Sequence, residues 1–208
     1  MKSILCFGDS ITWGYNPKDG TRYPPEDRWP SVLEQSLQGR ARVIDEALNG
    51  RTAATDDLVR PYRNGLAMLP PLLEAHTPLD IVILMLGTND CAPCYGLTAG
   101  EIAFGCVGLI RAVKASLCGP DEGQPKIVLV SPPLLGVLNP ELELFYGGGE
   151  QVSHQLAHAY RIIAQSFDCT FLDAAKVVEA SKIDGVHLDP PEQRKLAFAI
   201  KDVVEPML

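Results

Sequence analysis

The chain has 208 residues, of which 18 are Lys or Arg and 26 Asp or Glu, giving a formal net charge of −8 and a hydrophobic content of 46%. That length holds one well-buried core and falls short of two, so residues 1–208 are expected to form a single domain. An acidic chain without a Lys/Arg cluster argues against nucleic acid and anionic membrane surfaces as partners, and no apolar run approaches the ~18 residues of a membrane span.

The first predicted strand, Ser3–Phe7, is too short for the apolar core of a signal peptide. Read with six cysteines (Cys6, Cys91, Cys94, Cys106, Cys118 and Cys169) taken as free thiols, it gives an expected cytoplasmic location. The strand runs straight into Gly8-Asp9-Ser10, followed by Trp13-Gly14. These are ordinary turn residues, but a strand tip is also where a serine nucleophile would be presented. A loop over Asn16–Pro30, with four prolines, leads to a predicted helix at Trp29–Leu37. The second strand, Arg42–Glu46, precedes Asn49-Gly50-Arg51.

A helix over Gly65–Ala75, ended by His76, leads to the third strand, Asp80–Leu86, and to Gly87-Thr88-Asn89-Asp90. Thr98 and Glu101 read as a capping box opening a helix to Leu117. After the fourth strand, Lys126–Val130, a long loop over Ser131–Gly149 carries Leu134, Leu135, Val137, Leu138, Phe145 and Tyr146, and is expected to wall an apolar entrance. A helix over Glu150–Ser166, a strand over Thr170–Leu172, the segment Asp184-Gly185-Val186-His187 and a helix over Glu192–Val204 complete the chain. Short Ile/Val/Leu strands alternating with helices predict a three-layer α/β/α sandwich around a mostly parallel five-stranded sheet.

In an open parallel sheet, ligand sites form outside the carboxyl ends of the strands. Ser10, Asn49-Gly50, Asn89 and the Asp184/His187 pair all follow strands, so all are expected at that edge. The chemistry they could perform together is acyl transfer. Ser10 would attack an ester carbonyl, with His187 as base and Asp184 orienting the ring. The backbone N–H groups of Ser10 and Gly50 and the side-chain amide of Asn89 would face the oxyanion.

Four stretches, "FGDSITWG", "LNGRT", "LGTND" and "DGVHLD", match in order the blocks of the SGNH/GDSL hydrolase family, covering nearly the whole chain. The resemblance implies a Ser10-Asp184-His187 esterase on a flavodoxin-like sheet, without a cofactor. "CFGDSITWGY", "LNGRTA", "IVILMLGTND", "VSPP" and "GGGEQ" resemble the aryl-esterase and acyltransferase branch. That branch implies short acyl esters as small-molecule substrates, with water, an alcohol or peroxide as acyl acceptor, and a homo-oligomer, commonly an octamer. Sugar acetates, lysophospholipids or thioesters are alternative substrates for the same triad. The second block often has a serine beside its glycine, where this chain has Asn49. A backbone donor tolerates that change, and Arg51 is expected to shape the entrance. Asp9, Trp13, Arg51, Leu134 and Phe145 are the candidates for the substrate pocket, Asp9 being read mainly as a brace for the turn.

Competing patterns are weaker. Thr12 stands where an α/β-hydrolase elbow requires glycine, and Gly8 and Gly14 are spaced wrongly for G-x-G-x-x-G. Cys91-Ala92-Pro93-Cys94 has redox spacing, and His154 and His158 have helical metal-ligand spacing, with Gln155 where HExxH needs glutamate. These residues carry the contrasting reading of a metal or redox protein; on the preferred reading the chain binds no metal.

Overall fold

The structure, a computed structural model, describes residues 1–208. Five strands, Lys2–Gly8 (β1), Ala41–Ala47 (β2), Ile81–Met85 (β3), Lys126–Ser131 (β4) and Thr170–Asp173 (β5), form one sheet in the order β2-β1-β3-β4-β5. Every neighbouring pair is parallel. The helices are Ser10–Trp13 (α1), Trp29–Ser36 (α2), Gly65–Ala75 (α3), Ala99–Ser116 (α4), Pro140–Tyr146 (α5), Glu150–Ser166 (α6) and Pro190–Val204 (α7).

Strand pleating explains the three layers. On β1, Leu5 and Phe7 join one buried cluster with Leu69, Ile110 and Leu156 from α3, α4 and α6. The alternate residues Ile4 and Cys6 join a second cluster, with Leu33 of α2 and Leu196 of α7. Both faces are covered, so the sequence of β3, Ile-Val-Ile-Leu-Met, is apolar throughout rather than alternating. The capping box of α4 forms: the Glu101 N–H donates to Thr98 Oγ1 and the Thr98 N–H to Glu101 Oε2.

This is the flavodoxin-like order, and its direction reverses between β1 and β3. The chain leaving β1 and the chain leaving β3 therefore diverge, opening a crevice at the carboxyl ends of the strands. The structure corrects the sequence reading in the stretch after β4. Residues 131–149 are not wholly loop, because α5 forms within them. Asn139 Oδ1 caps it by accepting from the Leu142 N–H at 2.8 Å, and Pro140 occupies the first turn. The short α1 forms where the sequence predicts a turn, and Pro190 and Pro191 occupy the first turn of α7, as their missing N–H groups lead one to expect.

Candidate active site

Gly8 ends β1 because nothing larger fits: a Cβ there would lie 2.0 Å from Thr12 Oγ1. Asp9 then caps α1, Oδ1 accepting from the Ile11 N–H at 2.9 Å, and Gly14 closes the turn at φ +81°. Ser10 thus occupies the first position of a helical turn, where a backbone N–H has no intrahelical acceptor. Its Oγ lies 2.9 Å from His187 Nε2.

His187 arrives on the segment between β5 and α7, and Asp184 organises that segment. Asp184 Oδ1 accepts the N–H groups of Val186 (2.9 Å) and His187 (3.0 Å), and Oδ2 lies 2.5 Å from His187 Nδ1. Burial alone would raise the Asp184 carboxyl. The His187 bond and charge and the two backbone donors outweigh it and hold the carboxyl below its usual value, so it stays ionised. Ser10, His187 and Asp184 therefore form one hydrogen-bonded line from a cavity into the protein, although Ser10 and His187 are 177 positions apart. Tyr15, on the exit from α1, stacks on the His187 ring at 4.1 Å between centroids.

The turns after β2 and β3 meet beside Ser10. Gly50 is buried with φ +76°, and its N–H donates to no protein acceptor. Asn89 Nδ2 donates to the Arg51 carbonyl at 2.9 Å and reaches Asp9 Oδ2 at 3.4 Å, while Asn89 Oδ1 accepts the Tyr146 hydroxyl at 2.8 Å. Behind them both carboxylate oxygens of Asp90 take the Ala53 N–H, at 2.9 and 3.0 Å. Burial pushes the Asp9 carboxyl up to about 6 and that of Asp90 up to about 7.

Ser10, Gly50, Asn89 and His187 all line a cavity of about 620 Å³. Its walls combine Leu58 and Val59 from the loop before α3, Leu142, Leu144 and Phe145 from α5, and a polar side made by Asp57, Arg60 and Tyr95. The Arg60 guanidinium is held by Asp57 and lies against Gly50.

Of the expected pocket residues, Phe145 lines the cavity and Asp9, Trp13, Arg51 and Leu134 do not. Arg51 is turned inward: Nη1 donates to the Gly8 and Glu46 carbonyls, and the guanidinium stacks on Phe7 at 4.1 Å. Burial lowers its pKa to about 10. It braces the ends of β1 and β2 rather than shaping an entrance. Asp9 is consumed by capping, and Trp13 lies under Arg22 instead of facing the cavity. In the stretch 131–149, Leu135 enters the core and Leu138 packs against it, while Val137 is exposed. Tyr146, expected at the entrance, does line the cavity, but its bond to Asn89 has no signal in the sequence, and Tyr15 and Arg60 are not among the expected residues. Tyr15, directly after the first block, was the one with a local signal.

The cysteine pair does not share one environment. Cys94 is exposed at the cavity rim, whereas Cys91 is buried, with burial pushing its thiol up to about 12. His154 and His158 both stand on the exposed face of α6. His76 ends α3, with Nε2 2.7 Å from Glu46 Oε1.

The fold and the ordered motifs at its carboxyl edge define an SGNH-type hydrolase built on a flavodoxin-like parallel sheet. The chain belongs to the GDSL-like lipase/acylhydrolase family, whose model matches residues 6–194. It is similar to the native aryl esterase of M. smegmatis, with 40% identity, a TM-score of 0.95 and complete coverage of both chains. It is likewise similar to a carbohydrate acetylesterase from Sinorhizobium meliloti, at 36% identity and a TM-score of 0.96, again over 100% of both chains. An arylesterase of Vibrio mimicus is 37% identical over 92 residues, 43% of this chain but only 38% of that protein. No helix is long and apolar enough to cross a membrane.

Proposed function

We propose that the protein is a serine carboxylic-ester hydrolase acting on short acyl esters through an acyl-enzyme. The observation that carries this reading is the hydrogen-bonded line Ser10–His187–Asp184 opening into the cavity. His187 Nε2 takes the Ser10 proton as Oγ attacks the ester carbonyl, and Asp184 stabilises the imidazolium that results. The oxyanion is met by the N–H groups of Ser10 and Gly50 and by the Asn89 amide. Collapse of the tetrahedral species expels the alcohol, which takes its proton from His187. Water, deprotonated by His187, then releases the acid. None of these steps draws on a cofactor.

The name of the aryl esterase relative supports small aromatic esters as one substrate class. The cavity supports this too, since Leu142, Leu144 and Phe145 offer apolar wall to a flat leaving group. A second reading, a sugar acetate, draws on the polar wall of Asp57, Arg60 and Tyr95 and on the carbohydrate acetylesterase relative. The same apolar wall favours an alcohol over water as acyl acceptor, so acyl transfer belongs to this proposal. Leu58, Val59, Val137 and Leu144 are exposed apolar side chains, and they support a homo-oligomer in which another copy covers them. The six thiols are unpaired, which suits a reducing cytoplasm.

The test is the initial rate on p-nitrophenyl acetate for wild type and Ser10→Ala. A loss of about a thousandfold or more is expected of a removed nucleophile. Equal rates would return Ser10 to the status of a turn residue. Product partitioning with added alcohol separates transfer from hydrolysis, and light scattering reads the assembly.

A further inference from the structure

Two deeply buried tyrosine hydroxyls lie near the carboxyl edge of the sheet, and they spend their protons differently. Tyr160 donates to the main-chain carbonyl of Leu86 at 2.8 Å, satisfying a backbone group at the end of β3. Tyr146 donates instead to a side chain of the site, Asn89 Oδ1, at 2.8 Å. Tyr146 is the last residue of α5, the helix that also brings Leu142, Leu144 and Phe145 to the cavity.

We propose that Tyr146 is a positioning residue for the oxyanion-stabilising amide of Asn89, fixing its orientation and strengthening its N–H as a donor. The inference rests on the esterase reading above. The carbonyl end of the amide is held by Tyr146 and the nitrogen end by the Arg51 carbonyl at 2.9 Å, so both partners select one orientation. Turned over, Asn89 would set its oxygen against the Arg51 carbonyl and beside the Asp9 carboxyl. One Nδ2 proton is committed to Arg51. The other faces Asp9 Oδ2 at 3.4 Å, a long and weak bond that sacrifices little when an oxyanion forms.

A hydrogen bond accepted at Oδ1 draws electron density toward the carbonyl and makes the N–H groups better donors, an effect favoured in a site shielded from water. Both residues are buried, Asn89 at 3% and Tyr146 at 6% exposure. Burial, then the nearby Asp9 charge, raises the phenol well above its ordinary value, so it remains protonated and keeps donating. Without the hydroxyl, Asn89 Oδ1 would lose its hydrogen-bond partner in a buried place.

The test is a double-mutant cycle of Tyr146→Phe and Asn89→Ala on p-nitrophenyl acetate, read as kcat and KM separately. Tyr146→Phe is expected to lower kcat by about tenfold with KM within about twofold, and to weaken a boronic-acid transition-state mimic in parallel. In the Asn89→Ala background it is expected to change nothing further. Equal losses in both backgrounds, or a raised KM with unchanged kcat, would overturn the proposal while leaving the esterase reading intact. A silent Asn89→Ala would remove the oxyanion role of Asn89, and this proposal with it, whatever Ser10→Ala does. If Tyr146→Phe does not fold, 3-fluorotyrosine at 146 keeps the shape and donates more strongly. The kcat must then rise above wild type, and an unchanged or lower value overturns the proposal.

Discussion

Asn89 donates its amide to the Arg51 carbonyl at 2.9 Å, which ties the turn after β3 to the turn after β2. Gly50 and Asn89, the candidate donors from those two turns, are therefore held relative to each other by a bond of the site itself. Replacing Asn89 by Ala removes both the donor and this tie. The expected loss in kcat for p-nitrophenyl acetate is about 10²–10³-fold. Asn89→Asp should fare no better, since a carboxylate presents an acceptor to the oxyanion. Full activity in either variant would contradict the assignment.

Asp184→Asn tests the other end of the hydrogen-bonded line. Asp184 accepts from His187 Nδ1 and from two backbone N–H groups, so an amide fills its space but offers the imidazolium no charge. A kcat reduction of about 10⁴ is expected. Thermal unfolding should move far less than for a residue whose only role is packing.

Gly50 is required for its conformation. Its φ of +76° lies where a Cβ costs about 1–2 kcal/mol, whereas the Arg60 guanidinium against it can swing aside. Gly50→Ala should therefore fold with a modestly lowered unfolding midpoint. Its kcat should fall by at least about tenfold as the N–H shifts. The measurement pairs calorimetry with steady-state rates; a lowered midpoint with unchanged kcat would remove this N–H from the oxyanion site.

The pH dependence of stability should run opposite to that of an ion-paired acid. Burial raises Asp90 from 3.8 to about 7. Between those values the native state holds a proton that the unfolded chain has released, so stability falls as pH rises through the window. Asp9, raised to about 6, adds to the same slope. Asp90→Asn removes one contribution. Its urea unfolding free energy relative to wild type is expected to gain at least about 1 kcal/mol between pH 5 and pH 8. A constant difference across that range would mean that Asp90 is ionised throughout.

Cys94 is exposed at the cavity rim and Cys91 is not. A bulky maleimide should label Cys94 first and slow ester hydrolysis by obstructing the cavity, and Cys94→Ser should abolish that sensitivity. Equal labelling of both thiols would revive the redox reading of the pair.

The strands and most helices were legible because their causes are local. Continuous Ile/Val/Leu runs mark strands covered on both faces, and the Thr98/Glu101 box marks a helix start. Ser10, Gly50, Asn89, Asp184 and His187 were legible because each follows a strand within a block that resembles the SGNH/GDSL family, and at Gly50 and Asp184 the turn also has a local cause. Asp184 shows this most directly, since the two N–H groups it binds belong to residues two and three positions away. α5 was hidden because Pro140 and the glycines from Gly147 onward give its surroundings a loop-like composition.

By itself, then, the sequence determined the family, the layered sheet and the set of groups at its carboxyl edge. Only the tertiary structure decided what those groups touch. Arg51 turns inward because two strand-end carbonyls and the Phe7 face offer it partners that its neighbours in sequence do not. Tyr15 meets His187 across 172 positions (187 − 15), and Tyr146 meets Asn89 across 57. Side-chain partners across such spans are set by how helices pack on the sheet, which depends on the whole core at once. A turn carries its own instructions, and a cavity wall does not.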